Sequence, residues 1–199
     1  MSSRFPLAYK YLELNKSNLM ARENGRFTNK NWFAFGYPKS MTLFQRNKIV
    51  VPDYNNIASF TLDSDGHFYK TGYGIILNND ALSQSYILGL LNSQLLFKHL
   101  CSIGTMLRGG YVRFWTQYIE QLPIRVIDFT NPADVARHDR MVALVERMLT
   151  LHQQRASAQT ETDQQLFQRQ IDATDKQIDA LVYELYALTD DEIKIVENA

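Results

Sequence analysis

Residues 84–101 constrain this chain most. They carry Tyr86, Ile87, Leu90, Leu91, Leu95, Phe97 and Leu100, at spacings that place apolar side chains on nearly every side of a helix. A helix without a polar face cannot lie on a surface, so other elements have to be wrapped around it. With 199 residues, the chain can hold one large domain, or a medium one with an appendage. Its 45% hydrophobic and 12% aromatic content is enough for a true core. No stretch approaches the ~20 uninterrupted apolar residues that cross a bilayer. The start, Met1-Ser2-Ser3-Arg4-Phe5-Pro6, lacks the apolar middle of a signal peptide, so a cytoplasmic protein with no membrane partner is expected. The lone Cys101 excludes an internal disulfide and gives no support to a zinc site. It reads as a small buried hydrophobe.

On either side of the apolar segment the periodicity changes. Residues 5–14 and 16–23 read as two short helices, followed by the turn signal Asn24-Gly25. Lys48-Ile49-Val50-Val51 reads as a strand stopped by Pro52. Ala58, Phe60 and Leu62 alternate with polar residues, and Asp63-Ser64-Asp65-Gly66 suggests a hairpin turn with 67–70 returning. Tyr73 to Leu77 supplies another strand. Beyond Pro123, residues 128–132 read as a linker, with Asp134 or a neighbour capping the next helix. Val135, Met141, Val142, Val145 and Leu149 keep helical spacing, as do Phe167, Ile171, Ile178, Leu181, Val182 and Leu185 after a polar gap. That pattern predicts an antiparallel helical hairpin or a coiled-coil seam. Thr189-Asp190-Asp191-Glu192 has the form of a capping box. The expected fold class is α+β: a mixed domain over 1–127, then a helical segment over 128–199.

Net charge is zero, but it is unevenly placed. Residues 1–127 hold 14 Lys and Arg against 7 Asp and Glu, whereas residues 128–199 hold 7 against 14. A basic body with an acidic tail suggests that the body meets a polyanion. Within the body, Arg108-Gly109-Gly110-Tyr111-Val112-Arg113-Phe114 interleaves two arginines and aromatic rings around bare backbone. Such a run suits close approach to phosphates or base edges. A second aromatic and basic stretch runs from Arg26 to Lys39. The candidate DNA-contacting residues are Lys30, Lys39, Arg46, Lys48, Arg108, Tyr111 and Arg113. Lysine and arginine would neutralise phosphates, and a smaller set would read base edges. The bland alternatives stay open. Trp32, Phe33, Phe35 and Tyr37 fit a core plug, the lysines fit ordinary surface charge, and Gly109-Gly110 fits a pure backbone requirement.

Catalytic patterns are weak. Gly72-Tyr73-Gly74 runs into a strand-like segment, so its glycines fit a bulge or turn better than a nucleotide loop. Asn131-Pro132-Ala133-Asp134 lacks the second proline and the aromatic of an amino-methyltransferase loop. Pro52-Asp53 and Glu192-Ile193-Lys194 resemble pieces of a metal-dependent nuclease site but fall in regions of opposite charge character. His67, His99, His138 and His152 show no ligand spacing.

A resemblance covers most of the chain. It rests on Asn31-Trp32-Phe33-Ala34-Phe35-Gly36, Lys48-Ile49-Val50-Val51-Pro52-Asp53, Gly72-Tyr73-Gly74-Ile75-Ile76-Leu77 and Leu90-Leu91-Asn92-Ser93. Gly104-Thr105-Met106, Arg108-Gly109-Gly110-Tyr111 and Leu122-Pro123-Ile124 complete it. In that order they resemble the TaqI-like C-terminal specificity domain of restriction–modification enzymes that fuse an adenine-N6 methyltransferase to a nuclease. Residues 178–189 are similar to the helical end of those polypeptides. The resemblance implies a reader of double-stranded DNA with no catalysis of its own. Methyltransferase and nuclease modules would be its partners, with residues 128–199 as a helical spacer that docks them through its apolar seam, and S-adenosylmethionine and Mg²⁺ would belong to those modules. It transfers no recognition residue. A rival from another class is a helical interaction or oligomerisation module with an incidental basic face.

Overall fold

The computed structural model describes residues 1–36, 41–78 and 83–198. The chain forms two compact units, Met1–Leu43 and Phe44–Ala199.

In the first unit, α1 (Pro6–Leu14) begins on a proline whose missing N–H is not needed there. It is followed by α2 (Lys16–Met20) and the single turn α3 (Arg22–Gly25). The helix expected over 16–23 is therefore broken, because Glu23 and Asn24 adopt φ of 51° and 56°. Arg22 holds the following loop by donating to the carbonyls of Leu19, Trp32 and Ala34. Trp32 is buried and packs against Tyr9 and Phe33, whereas Phe35 is exposed. Tyr37 lies outside the described residues.

The second unit has two small antiparallel sheets. In the first, β1 (Lys48–Val51) lies between β3 (Thr61–Asp63) and β4 (Tyr73–Ile75), with Ile49 opposite both Leu62 and Ile75. In the second, β6 (Tyr111–Arg113) lies between β2 (Tyr54–Asn55) and β5 (Met106–Leu107). The return strand expected over 67–70 is absent. Asp63 accepts hydrogen bonds from the backbone N–H groups of Asp65 and His67. The chain thus curls around that carboxylate instead of forming a ladder. Gly72 does serve a turn: its φ is +112°, and a side chain there would meet the Val51 carbonyl.

The apolar segment is two helices, α4 (Gln84–Asn92), which is enclosed as expected, and α5 (Gln94–Ile103), of which only Leu96 and Leu100 are buried. Ser93 makes the break. Its hydroxyl accepts from the Leu96 N–H and donates to the Leu90 carbonyl, and the Gln94 N–H finds the Asp179 carboxylate at 2.8 Å. Asn92 clamps the extended segment beside it, accepting from Phe60 N–H and donating to Phe60 C=O at 3.0 Å each. The sequence Leu90-Leu91-Asn92-Ser93 therefore has an architectural use.

A one-turn helix, α6 (Thr116–Ile119), precedes Pro123. The tail is a hairpin of α7 (Pro132–Ser157) and α8 (Glu161–Leu185), followed by α9 (Asp190–Asn198). The cap of α7 is Asn131, which accepts from Ala133 N–H. Asp134 is instead buried and pairs with Arg125 and Arg137. Thr189 and Glu192 form the expected reciprocal capping box. The boundary expected at 127/128 does not separate two cores. Met141, Val145, Ile178, Leu181, Val182 and Leu185 share one apolar cluster with Ile49, Leu90, Val112 and Phe114. The hairpin seam is buried in the chain's own core.

Candidate nucleic-acid interface

The second sheet has an inner and an outer face. Strand alternation on β6 sends Val112 and, just beyond it, Phe114 inward, where both are completely buried. Tyr111 and Arg113 then point outward, and Trp115 follows on the same alternation. Tyr54, directly opposite Arg113 on β2, completes the outer row. Tyr54 is 52% exposed, and Tyr111 meets it edge-on at 5.8 Å. Trp115 stacks almost parallel to Tyr118 at 6.0 Å.

Arg113 occupies the middle of this face. Its guanidinium carbon lies 5.6 Å from the Tyr54 ring centre and 5.3 Å from that of Trp115. One of its terminal nitrogens is ion-paired with the Asp53 carboxylate. Asp53 follows Pro52 at the end of β1, and its backbone carbonyl accepts from the Phe114 N–H at 2.9 Å. The same carboxylate accepts from the Trp115 indole at 3.1 Å and the Tyr73 hydroxyl at 3.3 Å. Partial burial, and secondarily the adjacent Asp53 charge, pushes the Tyr73 phenol above its usual value.

Arg108 stands at the tip of the β5–β6 hairpin, where Leu107 pairs with Tyr111. Gly109 and Gly110 close the loop at φ of +88° and +79°, a region that L side chains rarely adopt. The glycine pair is thus a backbone requirement, and it presents Arg108 on an exposed turn. Arg108 has no ion pair, hydrogen bond or ring contact among the described residues.

The other candidates fall in different surroundings. Lys48 does not reach a surface. It is 2% exposed, pairs with Asp63 at 2.5 Å and donates to the Phe44 carbonyl. Hydrogen bonds from Lys48, with those from His67, hold the Asp63 carboxyl well below the usual carboxylate range. Lys48 is a structural cation, and removing it would leave a buried charge unpaired. Arg46 is exposed beside it in sequence, and Lys30 is exposed in the amino-terminal unit. Lys39 lies outside the described residues. The expected set therefore divides. Arg108, Tyr111 and Arg113 come together on one hairpin, Lys48 is withdrawn into the core, and Arg46 and Lys30 belong to separate segments.

Asp53, Tyr54 and Trp115 escaped sequence reasoning. The available signal was the alternation of Tyr111, Arg113 and Trp115, which marks one face of a short strand.

The model of the TaqI-like C-terminal specificity domain matches residues 3–124. The chain belongs to that family. The type II restriction enzyme and methyltransferase RM.Eco57I of Escherichia coli is 25% identical over a 211-residue alignment, which takes in the whole of this chain. The chain spans about a fifth of that relative's length, 21%. The family match ends before α7, although the hairpin that follows supplies part of the same core. Such membership supports a role in DNA recognition. No described helix is long and apolar enough to cross a membrane.

Proposed function

We propose that this chain is the sequence-reading segment of a restriction–modification polypeptide. It binds double-stranded DNA and positions adenine-N6 methyltransferase and nuclease modules carried elsewhere in that polypeptide, in the cytoplasm. S-adenosylmethionine and Mg²⁺ belong to those modules, and the residues described above carry out no catalysis. The observation that carries the reading is the β5–β6 hairpin. It presents Arg108 unpaired at an exposed tip, beside a face of aromatic rings built around Arg113, in a chain of the specificity-domain family.

The rival, a helical interaction module, relied on a free apolar seam. That seam is used within the unit, where α7 and α8 pack on each other and on the α4–α5 core, so it is free neither for a second copy nor for docking the methyltransferase and nuclease modules.

Arg108→Ala tests the proposal. Each phosphate contact contributes close to one unit to the slope of log affinity against log salt. The substitution should weaken duplex binding severalfold and reduce that slope by roughly 0.9, with no change in melting temperature. Fluorescence anisotropy on a random-sequence duplex over a salt series reads both quantities. Unchanged affinity and slope would remove Arg108 from the interface, and absence of duplex binding by the unmodified chain would overturn the function.

A further inference from the structure

Asp53 is an unexpected group on a surface offered to a polyanion. A carboxylate there repels every phosphate and lowers affinity for all DNA alike. If the face only neutralised phosphates, an acid at its centre would work against it. Asp53 is also not a loose surface charge. Its carboxylate is oriented by three donors, Arg113, the Trp115 indole and the Tyr73 hydroxyl, and its backbone is tied to Phe114. Side chain and backbone are fixed independently.

The consequence falls on Arg113. Its guanidinium is held by Asp53 at one terminal nitrogen and flanked by Tyr54 and Trp115. The long side chain has therefore lost its rotamer freedom on folding rather than on binding. Its Nε and other terminal nitrogen have no hydrogen-bond partner among the described residues, and the side chain is 29% exposed. Those two nitrogens form a rigid, planar pair of donors. Two acceptors side by side, O6 and N7 of guanine in the major groove, complement that pair. A phosphate would accept the same donors but gains nothing from an acid behind them.

We propose that Asp53 is a positioning residue for sequence specificity: it fixes the Arg113 fork on the outer sheet face so that its free edge reads a guanine. The inference rests on the DNA-binding function proposed above. It separates two quantities that usually move together. Neutralising Asp53 removes repulsion from every duplex and at the same time releases the fork that discriminates among them.

The test begins by selecting, from a randomised duplex pool, the sequence that the full chain prefers. Affinity is then measured for that duplex and for the unselected pool. Asp53→Asn keeps the shape and one acceptor oxygen. It should raise affinity for the pool about two- to fivefold while lowering the selected-to-pool ratio by roughly tenfold or more. Melting temperature reports the alternative, in which Asp53 merely pins β2 to β6. In that case stability and both affinities fall together. A second arm replaces each guanine of the selected duplex by 7-deazaguanine, which lacks the N7 acceptor. One position should cost the unmodified chain about tenfold and cost Arg113→Ala nothing further. An unchanged ratio in Asp53→Asn, additive effects of the base and residue changes, or a bound pool that enriches no sequence would each overturn the positioning role while leaving DNA binding standing. A chain that binds no duplex would overturn both.

Discussion

Lys48 and Arg113 face carboxylates for different physical reasons. Lys48 and Asp63 lie opposite each other across β1 and β3, both shielded from solvent, where an unpaired partner would be costly. Arg113 remains partly exposed and keeps donors free. Asp179 is a third kind of buried charge. Its carboxylate accepts the Gln94 N–H at the α4–α5 break, and burial is the main cause raising its pKa from 3.8 to about 6. An acid whose folded value is raised binds its proton more readily in the native state. Stability therefore rises as pH falls from above 6 towards 4 and is lower at neutral pH. Asp63, Asp128 and Glu192, with lowered values, lose their contribution only as pH falls through their ordinary values of 3.8 to 4.5, below pH 5. Asp179→Asn keeps the acceptor without the charge. Between pH 7 and 5 the unmodified chain should gain on the order of 1–2 kcal/mol more than the variant. Urea denaturation at the two pH values checks this, and equal gains would refute it.

The helices show what a periodic pattern can and cannot convey. Apolar residues on all sides of 84–101 announce burial, and the structure encloses α4 while leaving α5 one partly exposed side. Ser93 breaks it because its hydroxyl and the distant Asp179 together satisfy the N–H groups that open α5. Asp179 lies far along the chain, so half of that signal was not local. The same holds at the interface. The basic and aromatic character of residues 108–113 is visible in the sequence, but the pairing of Arg113 with Asp53 depends on a strand contact across 60 residues. Two substitutions probe these joints. Ser93→Ala removes the cap of α5 and should cost about 1–2 kcal/mol. Gly89 lies on α4 where a β-carbon would come within 2.5 Å of the Met141 sulfur and 2.9 Å of a Val145 methyl. Alanine favours the helix by about 1 kcal/mol over glycine, but overpacking costs roughly 1–3 kcal/mol. Gly89→Ala should therefore be neutral to destabilising. A stabilised variant in chemical denaturation would mean that α7 yields easily.

Charge and packing divide the chain differently. The sequence changes sign near residue 127, and the family match ends at 124. The apolar core ignores both limits. Arg125 bridges them as well: its carbonyl accepts from the Tyr86 hydroxyl, its N–H donates to Tyr186, and its guanidinium meets Asp134. An acidic hairpin completes the core beneath the sheet that carries Arg113, while its own charge is of the opposite sign to that of residues 1–127. The matched family region therefore shares its core with the hairpin that follows it. Met141, Val145, Ile178, Leu181, Val182 and Leu185 are buried against it. Each such side chain contributes about 1.5–3 kcal/mol on burial, so together they supply on the order of 10 kcal/mol, comparable with the net stability of a whole domain. A fragment of residues 1–127 should then lack a cooperative unfolding transition and should expose α4 to a hydrophobic dye. Supplying residues 128–199 as a separate chain should restore the transition in circular dichroism melts. Cooperative melting by the shorter fragment alone would show that the sheet region holds itself together and that the hairpin is only an attachment.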